Sequence, residues 1–256
     1  MTFRLWKRIN VRKVGIIGCG AIGTLVAKAV ANGTVSCDGL ILYDYNLEKA
    51  TDLQKSIGFP ANAVNSVGDM IKLKPTVIVE AASQQAAREY VEKILAGNSE
   101  VIIMSVGALL DLKIKNSRIH IPSGAIGGLD AISSAALAGI DEVLLTTKKN
   151  PMTLGSKSLS ETLIYEGDAG EAVRRFPREM NVAATLALTV GSERVKVRVI
   201  SDPRVRRNVH EINVKWKHGD MFFRFENDPH PENSGTSALA AWSAIKLLKE
   251  LLEKSV

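Results

Sequence analysis

The stretch "VGIIGCGAIG", residues 14–23, limits what this chain can fold into more than any other segment. A β-branched run ends at Gly18, Gly20 and Gly23 complete a G-x-G-x-x-G spacing, and an alanine-rich helical pattern runs on to Gly33. The glycines serve different ends. The first permits a tight turn, the second lets the backbone approach a pyrophosphate, and the third lets helix and strand pack closely. With Ala21 and Ile22 opening the helix, backbone amides and the positive end of the helix dipole then face an anion. Glycine-rich turns of this kind also arise from packing alone, so the surroundings decide. Here a strand precedes, a helix follows, and Asp44 ends the next strand ~20 residues on, where a carboxylate reaches ribose hydroxyls. Such a carboxylate repels a 2′-phosphate, which favours NAD, while Lys49 offsets part of the repulsion and keeps NADP open.

The rest of the first half repeats this grammar. "GLILYDY", "TVIVEAA", "EVIIMSVGA" and "RIHIPSG" read as strands; "NLEKATDLQKSI", capped by Asn46, and "QQAAREYVEKILAG" read as helices between them. Alternation of this kind gives a parallel sheet with crossover helices. After "SGAIGGLDAISSAALAG" the pattern changes. "DEVLLTTKKN" and "KVRVIS" are strands, "NVHEINVKW" and "MFFRFEN" form a hairpin through "KHGD", and "EAVRRF" and "NVAATLALTVG" are helical, the latter capped by Asn181. The closing "TSALAAWSAIKLLKELLEKS" puts Ala238, Ala241, Trp242, Ile245, Leu248 and Leu252 on one helical face. The fold class expected is α/β, an N-terminal Rossmann-type parallel sheet with a second α+β domain. The first unit takes residues 1–125 and the returning helix, 235–256; the second takes 126–234.

Composition excludes several classes. The apolar runs, such as "VAATLALTV", fall far short of the ~20 residues a membrane helix needs, and no apolar segment of signal length precedes the first strand. Cytoplasmic residence without membrane attachment is the expectation. Cys19 and Cys37 form no CxxC pair and no histidine stands at ligand spacing, so neither a disulfide framework nor a metal is expected. The net charge of +6 is mild for this length, but Arg4, Lys7, Arg8, Arg12 and Lys13 crowd the approach to the first strand, and Arg204, Arg206 and Arg207 crowd the approach to "NVHEINVKW". Such clusters suit small anions; a nucleic-acid partner would require a longer basic stripe and a reader motif.

One histidine stands out. In "NVHEINVKW", strand alternation places Asn208, His210, Ile212, Val214 and Trp216 on one face, so the imidazole points with the apolar set. A lone histidine there is more often a hydrogen-bonded core residue than a catalytic one. Asn208 on the same face and the arginines before it argue for a site. His120 is read as structural, His218 as part of a turn, and His230 as part of an exposed loop.

Together, "VGIIGCGAIG", "VEAASQQAAREYVEKIL", "IPSGAIGGLDAI", "VLLTTKKNP", "FPREMNVAATLAL", "NVHEINV" and "NSGTSALAAWSAIKLL" resemble the L-aspartate dehydrogenase family along nearly the whole chain from residue 13. The resemblance implies a homodimer that oxidises L-aspartate with NAD(P) to iminoaspartate, which feeds NAD biosynthesis or hydrolyses to oxaloacetate and ammonia. It implies cofactor contacts near the nicotinamide from Ala125 and Asn181, His210 as the active-site residue, and Asn208 facing the substrate. One departure is Gly235, where a basic residue would be expected before the Thr-Ser pair.

The residues agree with that implication where they can. "SGAIGG" leaves a strand and opens a helix, so Ser123, Gly124 and Ala125 would present amides beside a planar ring, a tight packing turn being the alternative. Amine oxidation needs a group that moves protons, and an imidazole poised near neutral pH suits that. For a dicarboxylate the candidate donors are Lys148, Lys149, Arg206, Arg207, and Thr236 and Ser237 at the start of the last helix. The helix start is preferred because its donors are preorganised. The rival functions are a related dehydrogenase acting on homoserine or a cyclic imine, and a non-catalytic NAD(H)-binding regulator.

Overall fold

The computed structural model describes residues 11–112, 114–230 and 233–254. Arg4, Lys7 and Arg8 of the basic lead-in, Pro231 and the His230 side chain lie outside the described residues. The first half runs β1 (Lys13–Ile17), α1 (Ala21–Ala31), β2 (Gly39–Tyr43), α2 (Leu47–Ser56), β3 (Ala61–Ala63), α3 (Val67–Lys72), β4 (Val77–Glu80), α4 (Gln84–Ala96), β5 (Glu100–Ile103), α5 (Ala108–Leu112) and β6 (Ile119–His120). These strands form one sheet in the order β3-β2-β1-β4-β5-β6. β1 pairs in parallel with both β2 and β4, so the winding direction reverses beside it, and a crevice opens beyond its carboxyl end. Every residue of β4 is buried, as expected where helices cover both faces of a parallel sheet.

The second half runs α6 (Leu129–Ala138), β7 (Ile140–Lys149), β8 (Thr162–Asp168), α7 (Ala169–Arg175), α8 (Asn181–Val190), β9 (Val195–Ser201), β10 (Asn208–Trp216), β11 (Gly219–Asn227), β12 (Pro229–His230), β13 (Asn233–Ser237) and α9 (Ala238–Lys254). Its main sheet has the order β11-β10-β7-β9-β8; β7 and β9 pair in parallel and their other pairings are antiparallel. Ile132 of α6, Val173 of α7 and Leu186 of α8 bury one face of it together with Leu145, Val197 and Ile212.

The last helix packs Ala244, Ile245, Leu248 and Leu252 into the same core as Val26 and Val30 of α1. Trp242 departs from the expected buried face and is 48% exposed. Ala241 occupies the centre of the buried stripe, which leaves Trp242 at its rim. Among the described residues no helix is long and apolar enough to cross a membrane.

Candidate active site

The three glycines of the first turn are held to different standards. Gly18 has φ +94°, and a Cβ there would stand 2.7 Å from the Ala81 carbonyl oxygen. A Cβ on Gly23 would lie 1.9 Å from the Gly18 carbonyl oxygen. Gly20 is the opposite case: a Cβ would meet nothing within 4 Å. The fold itself demands Gly18 and Gly23, whereas the space beside Gly20 fits a group approaching from outside, as a pyrophosphate would. Asp44 accepts the Cys19 amide on Oδ2 at 2.8 Å and the Asn46 amide on Oδ1 at 2.9 Å. It ties the glycine turn to the end of β2, and each oxygen keeps a further lone pair for a ribose hydroxyl. The Cys19 thiol is pushed up to about 12 by burial and by the Asp44 charge, which keeps it protonated and inert.

A cleft of about 810 Å³ lies between the two sheets, lined by Gly20, Ala21 and Ile22 from the glycine turn and by Lys149, His210 and Ser237 from the second half. Glu80 supports the loops beneath it. This fully buried carboxylate accepts the amides of Ala82 (2.9 Å), Ser83 (3.0 Å) and Ser105 (3.0 Å) and the Ser105 hydroxyl (3.0 Å). Burial pushes its carboxyl above the usual range and those donors pull it back. Ala125 lines the cleft, but the Gly124 amide, expected to face the ring, donates to Ser243 Oγ at 3.0 Å. Asn181 also lines the cleft. It does not cap its helix: Met180 is the N-cap, and the Asn181 Oδ1 accepts the Gly107 amide at 3.4 Å across the domain junction.

His210 is 3% exposed and lines the cleft. It sits opposite Thr147 in the β7–β10 register, and its Nδ1 lies 3.0 Å from Thr147 Oγ1. The expectation of a ring poised near neutrality does not hold, because burial first and the Lys149 charge second push it down to about 3. The imidazole is therefore neutral. Thr236 and Ser237 line the cleft from the end of β13, so they are strand residues rather than the free first turn of a helix. The first helical amide, at Ala238, already donates to the Asp228 carbonyl at 3.1 Å. Asn208 is buried behind them, its Nδ2 donating to Ser237 Oγ at 3.4 Å, and is not part of the cleft lining.

The arginines expected nearby point elsewhere. Arg204 pairs with Asp202 at 3.0 Å and Arg207 with Asp228 at 2.7 Å, and neither these nor Arg206 line the cleft. Lys148 lies 4.0 Å from Glu161 on the outer face, but Lys149, one residue on, is 2% exposed and lines the cleft. Sequence reasoning offers the two as a pair, although strand parity alone separates them. It passes over Thr147, Glu80 and Glu179 entirely; for Thr147 the available signal is its parity with Lys149. His120 bonds Glu100 (2.6 Å), and His218 packs edge-on against Trp216 in the turn. Among the described residues no three His, Cys, Asp or Glu side chains gather to hold a metal.

Comparison with known proteins agrees with this geometry. Residues 130–251 match the family model "Aspartate dehydrogenase, C-terminal", and residues 18–119 match "Homoserine dehydrogenase, NAD binding domain". The chain is 41% identical to an L-aspartate dehydrogenase of Methanosarcina mazei, covering 94% of this chain and 97% of the relative. It is 41% identical to one of Methanothermobacter thermautotrophicus, over 94% and 96%. The crystal structure of aspartate dehydrogenase from Thermotoga maritima superposes with a TM-score of 0.72 at 30% identity, covering 94% of this chain and 96% of that one. A glycine turn that leaves room for a pyrophosphate, a buried histidine across one cleft from it, and identity along nearly the whole length place this chain in the L-aspartate dehydrogenase family.

Proposed function

We propose that this protein oxidises L-aspartate with NAD, or with NADP, to iminoaspartate, which either enters NAD biosynthesis or is hydrolysed to oxaloacetate and ammonia. The observation that carries the reading is the single cleft that joins Gly20 and Ala21 of the phosphate turn to His210. Gly18, Gly20, Ala21, Ile22 and Gly23 hold the pyrophosphate, Asp44 the ribose, and Ala125 and Asn181 the nicotinamide end. Asp44 favours NAD through repulsion of a 2′-phosphate. A nicotinamide ring bound there supplies the hydride acceptor for the substrate Cα.

The chain's own residues manage protons and charge. The ammonium of aspartate loses a proton before hydride can leave Cα, giving overall iminoaspartate as its iminium, reduced cofactor and one proton. His210 accepts that proton when its Nδ1–H donates to Thr147 Oγ1, because this tautomer leaves Nε2 with a lone pair. Its low basicity rises once two substrate carboxylates face it, since nearby negative charge favours the imidazolium. Thr236 and Ser237 offer hydroxyls to a carboxylate, and Asn208 orients Ser237. We place the enzyme in the cytoplasm as a homodimer. The open face of the second sheet, where Leu163 and Phe222 stay 53% and 60% exposed, supports association there.

The test is to follow reduced-cofactor absorbance while the purified protein meets NAD or NADP and a panel of amino acids. Turnover of aspartate above homoserine and proline is expected. Turnover of homoserine or a cyclic imine instead would favour the related dehydrogenases, and NADH binding with no turnover would favour a regulator.

A further inference from the structure

Five residues lining the cleft carry ionisable groups: Arg88, Lys149, Arg178, Glu179 and His210. They differ in how far they are withdrawn from water. Arg178 is exposed, and Arg88 is engaged with Gln84 Oε1 at 3.0 Å and Asp111 at 2.6 Å near the outer edge. Lys149 alone among these cations is buried, at 2% exposure. It ends β7, two residues beyond the threonine that holds His210, so strand alternation sends both side chains to the same face. Its charge is felt directly by His210.

A buried ammonium on a cavity wall is costly to place there, and its position beside His210 is what singles it out. The Glu179 charge, from the loop before α8, acts on Lys149, while its neighbour Lys148 faces Glu161 on the other side of the strand. Burial brings Lys149 down to about 8 despite Glu179. A cation on the wall of the cleft, beside His210, stands where an anionic ligand would lie, and the substrate of the proposed reaction brings two carboxylates.

We propose that the Lys149 ammonium anchors a carboxylate of the substrate beside His210. The inference rests on the proposed aspartate reaction and adds to it a specificity-determining residue. It also explains why a neutral amine can be oxidised in a site with a cationic group: the cation is matched by the carboxylate, and His210 is left free to take the ammonium proton.

The test compares wild type, Lys149→Met and Lys149→Arg in steady-state assays with aspartate at pH 7 and pH 9. Lys149→Met should raise the KM for aspartate at pH 7 by about thirtyfold or more, the scale of a lost charge-assisted contact, and leave the KM for NAD within about twofold. A group titrating near pH 8 loses roughly tenfold of its protonated form between pH 7 and 9. The rise in aspartate KM over that interval should therefore be steeper in wild type than in either variant, since methionine has no charge and arginine keeps its own. The substrate amine titrates alike in all three, so the difference isolates position 149. An aspartate KM within twofold of wild type in Lys149→Met overturns the anchor. So does an unchanged pH dependence in Lys149→Arg, which decides the matter if the methionine variant fails to fold. Absence of aspartate turnover in wild type takes the functional reading down and the anchor with it, whereas wild-type turnover with unaffected variants removes the anchor alone.

Discussion

Glu80 at the end of β4 and Lys149 at the end of β7 are both buried charges at the carboxyl edge of a sheet, yet one lies behind the loops of the cleft and the other on its wall. Glu80 receives four hydrogen bonds from two loops, 81–83 and 104–106, and these donors stand in for water. Lys149 borders an open cleft, with the Glu179 charge acting on it. The first sheet uses its charge as a structural tie that holds the loops lining the cleft. The second sheet turns its charge toward a cavity large enough for a ligand. A buried ionisable group is thus informative about function only once its surroundings are known.

That contrast can be broken by substitution. Glu80→Ala would leave three amides and a hydroxyl without their acceptor, so a stability loss of about 3 kcal/mol or more is expected in denaturant titration. A loss below about 1 kcal/mol would deny Glu80 its structural part. Lys149→Met should act in the other direction, raising Tm by a few degrees at pH 7 because burial disfavours the charged form of the lysine it removes. The sign follows from linkage. Lys149 titrates near 8 in the fold and near 10.5 in the unfolded chain, so the unfolded chain binds more protons between those values and wild-type stability climbs with pH across them. The advantage of the methionine variant should shrink over the same window. His210 shows the same relation at lower pH. Its folded value of about 3 against 6.5 means that stability falls as pH drops from 6.5 toward 3, and His210→Gln should flatten that limb in a Tm series. The smallest effect belongs to His218→Ala in the exposed hairpin turn, which should alter stability and turnover little, with stability within about 0.5 kcal/mol.

How far the sequence discloses all this depends on whether a signal is local. The glycine turn, Asp44 and the Asn46 cap are legible because each is set by its immediate neighbours, and Asn46 does accept the Glu48 amide. The strand β8 escapes such a reading: it lies at the sheet edge, its burial is partial, and a register shift between Leu163 and Tyr165 breaks the alternation that marks a strand. Trp242 falls on the predicted buried face because the apolar set of α9 is wider than the stripe that packs. Asn181 looks like a cap because it precedes an apolar helical run, but its partner Gly107 lies 74 positions earlier in the chain, where no local pattern points. Lys149 and Lys148 stand together as candidates in the sequence. Parity shows that adjacent strand residues face apart; only the tertiary fold shows that one of those faces meets a cleft.

The proposed division between a cofactor-holding sheet and a chemistry-bearing sheet is tested most directly by measuring NADH affinity and aspartate turnover on the same preparation of His210→Ala. NADH affinity within about threefold of wild type, with turnover reduced by at least about a hundredfold, is the expected result. Near-normal turnover, or turnover lost only in step with NADH binding, would contradict it.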